Sequence, residues 1–154
     1  MNPDLRKTLE ALLAIPVAAL GTLHQGAPFV SMVPVATHAE GLLIHVSGLA
    51  AHTQDLRTDP RMSLLFMAPL SPEADPLALP RVTLQGEARE VERDNPDYDL
   101  AARTYLARFQ QAEQTLGLGD FTFFLLRPSS GRLVAGFGRA LSLATPEILG
   151  ALPH

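Results

Sequence analysis

Residues 26–66 read GAPFVSMVPVATHAEGLLIHVSGLAAHTQDLRTDPRMSLLF, and this stretch decides the fold. Val30, Met32, Pro34 and Ala36 alternate with Phe29, Ser31, Val33 and Val35, the two-residue period of a sheet. HAEG supplies a turn in which Gly41 can take positive φ. In the next strand Leu42, Ile44 and Val46 point one way, and Leu43, His45 and Ser47 the other. Ser47-Gly48 ends it, and Leu49 to Arg57 reads as a short helix carrying His52, Thr53 and Gln54. Asp59-Pro60 stops that helix, because the residue before proline avoids the α region. Hydroxyls, imidazoles and a helix start meet at the end of one hairpin, a natural place for a phosphate.

Upstream, Asn2 is an N-cap with Pro3 at the first helical position. Leu5, Leu9, Leu12 and Leu13 form one apolar stripe, and Pro16 ends the helix. Val17 to His24 is the first strand. Downstream, Ala68 to Leu79 is a proline-rich surface loop. Arg81 to Val91 is a long strand with Val82, Leu84, Gly86 and Ala88 on one face, and Gly86 marks a bulge or a close backbone approach. Asp94 or Asn95 caps a second long helix that runs to Leu116. Phe121 to Leu126 is a strand, PSSG a turn, and Arg132 to Phe137 the returning strand. Strands interrupted by helices, without βαβ alternation, predict one antiparallel domain over residues 1–154. The expected fold is mainly β, a six-stranded split barrel with flanking helices.

Composition narrows the function. The 154 residues carry a net charge of −4, with 12 basic residues scattered along the chain, which speaks against a nucleic-acid partner. The absence of cysteine excludes disulfides, thiolate nucleophiles and iron–sulfur ligation. No window offers the roughly 20 apolar residues of a membrane helix, and the N-terminus has no basic leader, so the expected location is cytoplasmic. The five histidines show no ligand spacing for a protein-bound metal. No Ser-His-Asp set or carboxylate pair stands out, so a catalytic role requires a cofactor to carry the chemistry, acting on a small-molecule substrate.

The segments SMVPVA, HVSGLAAHTQDL, DPRMSLLF, PRVTLQGEAREV, GLGDF and GFGRA resemble, in order, the FMN-binding split-barrel family of pyridoxamine phosphate oxidase, and most of all its haem-utilisation (HugZ-like) branch. The resemblance implies an FMN site with the phosphate near Ser47, His52 and Thr53. It places Ser31, Met32 and Val33 alongside the flavin ring and Arg81 at its polar edge, with Thr83 as a further cofactor-binding residue; His45, on the same strand face as Ser47, is expected in the pocket wall. Flavin-binding relatives often have lysine at the position of His52, whereas histidine is common in the haem-utilisation branch. It also implies a homodimer with the cofactor between two barrels, an arrangement that would relieve the crowding of Phe121, Phe123, Phe124 and Phe137. The leading expectation is an FMN-dependent oxidoreductase. The alternatives are a haem-binding or haem-degrading protein, in which Asp120 matches an aspartate of haem-degrading relatives, and a non-catalytic split-barrel protein.

Overall fold

The computed structural model describes residues Met1–His154. Helix α1 (Pro3–Leu13) is capped by Asn2, whose side chain accepts from the Leu5 amide at 2.9 Å, and it buries Leu9, Leu12 and Leu13. The strands are β1 (Val17–His24), β2 (Ala27–Pro34), β3 (Ala36–His38), β4 (Gly41–Ser47), β5 (Arg61–Met67), β6 (Arg81–Val91), β7 (Phe121–Val134) and β8 (Ala140–Ala144). Helix α2 (Ala51–Thr58) joins β4 to β5, α3 (Tyr98–Arg108) and α4 (Glu113–Leu116) lie between β6 and β7, and α5 (Thr145–Leu149) follows β8. All the strand pairs are antiparallel, in the order β2-β1-β5-β6-β7-β4-β3, with β8 added beside β7. The result is an open, split barrel.

There are eight strands where six were expected, and the elements differ from the expected ones at two places. The chain breaks at Val35, whose amide donates to the Pro16 carbonyl, so β2 ends and β3 begins where one strand was predicted. PSSG is not a turn. In the β6–β7 register Gly86 pairs with Pro128 and Gln85 with Ser130, which leaves Ser129 as an inserted residue, a β-bulge. Strand β7 therefore runs through PSSG without reversing, and the bulge switches which of its residues face inward. Gly86 permits this, because a Cβ there would collide with the Arg127 carbonyl. The reversal comes later, in GFGRA, where Gly136 and Gly138 take φ of 139° and 72° and bring β8 back along β7. Those glycines make a hairpin.

The long helix expected from Asp94 to Leu116 is also interrupted. Asn95 forms a turn in which its side chain accepts from the Asp97 amide, so α3 starts only at Tyr98. At Phe109 the backbone leaves the helical region while its ring packs back on Tyr105, 5.0 Å between centroids.

Two apolar clusters lie on opposite faces of the sheet. The larger fills the barrel with Leu20, Leu42, Ile44, Leu64, Phe66, Leu84 and Phe124, closed by α1 and α5. The smaller packs Ala101 and Tyr105 of α3 against Leu43, Phe123 and Leu125. Because α3 covers only the β3-β4 end, the outer face of β2, β1, β5 and β6 is left bare. There Met32, Ala19, Leu65, Thr83, Arg132 and Ser142 are linked by register into one row across six strands. Val30 and Met32 are each 68% exposed on it.

Candidate functional site

Helix α2 lies at the mouth of the barrel, and its two ends are fastened differently. At its start the Ser47 hydroxyl donates to the Asp120 carboxylate at 2.9 Å and accepts from the Leu49 amide. The Gly48 amide donates to the Asp120 carbonyl, and a Cβ at Gly48 would come within 2.9 Å of that oxygen. Thr53, fully buried, donates its hydroxyl to the Ser47 carbonyl at 2.5 Å, and the Gln54 side chain donates Nε2–H to the Gly48 carbonyl at 2.6 Å. At the far end Arg57 pairs with Glu90 of β6.

The face of α2 turned toward β1 and β2 carries the chemistry. His52 Nδ1 is 3.0 Å from the Ser31 hydroxyl. One turn on, Asp55 is 5% exposed and uses both carboxylate oxygens: Oδ2 accepts from the Thr22 hydroxyl at 2.8 Å, and Oδ1 meets His24 Nδ1 at 2.7 Å. The β1–β2 register places Thr22 opposite Phe29 and His24 opposite Ala27. The Phe29 ring lies 5.5 Å from the His24 ring. The outcome is a polar seam beside Phe29: two imidazoles, each with Nδ1 engaged and Nε2 making no hydrogen bond. Burial pushes His52 below the ordinary imidazole range, with Asp55 pulling it partly back. A His52 held neutral is a hydrogen-bonding or metal-ligating group before it is a cation.

The residues singled out from the sequence fall into three places. Ser31, Ser47, His52 and Thr53 come together along α2. Met32, Thr83 and Arg81 belong to the bare outer face, where Arg81 donates to the carbonyls of Leu77 and Leu79 in the proline-rich loop. Val33 is 1% exposed inside the barrel and offers only its backbone. His45 lies apart from all of these, on the α3 side of β4. It is flanked by Phe123, Phe121 and Tyr105 at 4.4, 5.1 and 5.6 Å between ring centroids, and its Nε2 is buried with no hydrogen-bond partner. Desolvation, reinforced by Arg93, lowers its pKa to about 4. It borders a cavity of about 480 Å³ with Pro34, Tyr105, Phe109 and Phe121.

This arrangement suits a phosphate dianion poorly. The Thr53 hydroxyl is spent on a carbonyl, the Ser47 hydroxyl on a carboxylate, and Arg81 on its own loop. No side chain caps α2, so its first amides stay open, but Ala50 and Ala51 bring no charge there. The seam does hold a histidine in metal-ligating form, because His24 meets a carboxylate through Nδ1 and leaves Nε2 free of hydrogen bonds. His24, Asp55 and Thr22 were not singled out from the sequence. Asp55 reads there as one more polar residue of a surface helix, and only the pairing of β1 with α2 makes it buried.

A family model described as pyridoxamine 5'-phosphate oxidase matches residues 5–135. The chain is similar to the haem oxygenase HutZ of Vibrio cholerae, 26% identical over 150 residues, which covers 97% of this chain and 84% of that protein. It is 33% identical over 138 residues to HOZ, a chloroplastic haem oxygenase of Arabidopsis thaliana, covering 89% of this chain and 41% of that one. Among solved structures, a haem-binding protein from Mycobacterium smegmatis superposes with a TM-score of 0.84 at 32% identity, over 97% of this chain and 62% of that one. The chain thus spans less than two thirds of the chloroplast and mycobacterial proteins.

Proposed function

The chain belongs to the pyridoxamine 5'-phosphate oxidase family, and from that premise we propose that it is a haem-binding protein of the haem-utilisation branch rather than an FMN oxidoreductase. The observation that carries this reading is the seam along α2. Its two imidazoles, His24 and His52, keep Nε2 open beside the half-exposed Phe29, while the hydroxyls a flavin phosphate would need are engaged within the protein. The curated relatives named as haem oxygenases point the same way. Haem, when bound, supplies an iron centre whose reactivity is set by its axial ligand and the polarity around it. The chain's part is to hold the imidazoles in place, to offer Phe29 to the porphyrin, and to keep the barrel behind them dry.

The working unit in this proposal is a homodimer. The row from Met32 to Ser142 leaves apolar and polar side chains of β2, β1, β5, β6 and β8 uncovered by any element of the chain, and a second copy is the partner that would cover them. No helix is long and apolar enough to cross a membrane, and the proposed place of action is the cytoplasm.

Parallel titrations with haem and with FMN test the function. The expected result is a saturating Soret change at one haem per chain, with no quenching of flavin fluorescence. Tight FMN uptake without haem binding would reverse the reading. The feature that favours that second outcome is the uncapped first turn of α2, whose open amides and helix dipole attract an anion.

A further inference from the structure

We propose that His24 is the axial ligand of the haem iron and that Asp55 is the positioning residue that fixes it, an assignment that rests on the haem-binding reading above. An ionised carboxylate only accepts, so Asp55 Oδ1, 2.7 Å from His24 Nδ1, requires the proton on Nδ1. The lone pair is then on Nε2, which makes no hydrogen bond and is not among the buried unpaired atoms, in a side chain that is 43% exposed. A carboxylate on the far nitrogen fixes tautomer and ring orientation and raises the donor strength of the ligating one. Asp55 is itself immobilised, because its other oxygen accepts from Thr22 and the residue is 5% exposed.

The other histidines lack this arrangement. His38 Nδ1 accepts from the Glu40 amide, which puts its proton on Nε2 and leaves no lone pair facing outward. His45 is enclosed by aromatic rings and 8% exposed, so a porphyrin cannot reach it. His52 faces a hydroxyl that can donate or accept, so neither tautomer is imposed. His154 is exposed at the chain terminus with no partner to orient it. His24 alone combines an imposed tautomer, an immobilised carboxylate and an open Nε2, and Phe29 beside it gives the porphyrin an apolar edge.

The experiment is haem titration of the full chain and of four variants, read by absorption, electron paramagnetic resonance and resonance Raman of the ferrous form. Wild type is expected to show a histidine-ligated iron. His24→Ala should lose that signature and regain it on addition of free imidazole. His24→Gln can still donate to Asp55 and so keeps the local fold, yet it should also lose the signature. Asp55→Asn should keep the histidine ligand but lower the iron–histidine stretching frequency and weaken haem binding about 10- to 100-fold. His52→Ala should retain the signature. A wild-type protein that binds haem through histidine, with an unchanged spectrum in His24→Ala and His24→Gln, overturns the assignment while leaving the haem reading standing. A wild-type protein that takes up no haem at all overturns both.

Discussion

Thr53 Oγ1 and the carbonyl of Ser47 are 2.5 Å apart, a contact made by a fully buried hydroxyl six residues along the chain. It closes the loop between β4 and α2 and so sets the angle at which His52 and Asp55 meet β1 and β2. Replacing Thr53 with valine keeps the volume but removes the donor, leaving the Ser47 carbonyl only its bond from the Ala50 amide. The expected loss is about 0.5–1.5 kcal/mol of stability, read as a lower urea midpoint with an unchanged slope. A stability equal to wild type would mean that water or a neighbouring donor replaces the hydroxyl.

His45 gives the protein a built-in sensitivity to acid. Its folded pKa, about 4, lies below the unfolded value of 6.5, so the unfolded chain binds its proton first as the pH falls. The stability that depends on a neutral His45 is fully present above about pH 6.5 and disappears by about pH 4. Between pH 7 and pH 5 the loss from this residue alone is about 2 kcal/mol. His45→Phe, which fits the aromatic surroundings, should flatten that part of the profile in urea titrations at the two pH values. An identical pH dependence in wild type and variant would assign the acid sensitivity to other groups.

Arg81 is predicted to act on its loop. Its guanidinium donates to the carbonyls of Leu77 and Leu79, at 3.2 and 2.9 Å. Arg81→Ala should free the proline-rich segment 68–79 and speed its amide exchange by up to about tenfold, the combined value of its two solvent-screened hydrogen bonds. Haem affinity should change little. A large loss of affinity with unchanged exchange would place Arg81 against the ligand instead.

The bare outer face makes a prediction about assembly. The protein should sediment at twice the 16.6 kDa of one chain. Met32→Arg, a substitution at a side chain already 68% exposed, should shift it toward the monomer without loss of secondary structure. A wild-type protein that runs as a single chain at micromolar concentration would remove the dimer from the proposal.

What the sequence determined by itself was local. Strands β1 and β6 begin and end where their alternation and flanking turn residues put them, Asn2 caps α1, and Gly86 marks an irregularity in its strand, because period, capping and glycine geometry act within a few residues. The tertiary structure decided whatever depended on a partner distant in the chain. Ser129 is a bulge and not a turn because β6 lies beside it to accept the misfit. His45 and Ser47 lie on one face of β4 in the sequence, yet α3 closes over His45 while Asp120 claims Ser47. Asp55, one polar residue among several on a short helix, becomes a buried anion only because β1 brings Thr22 and His24 to it from more than thirty positions away. Burial and partnership are non-local properties, and in this protein they decide which imidazole is armed.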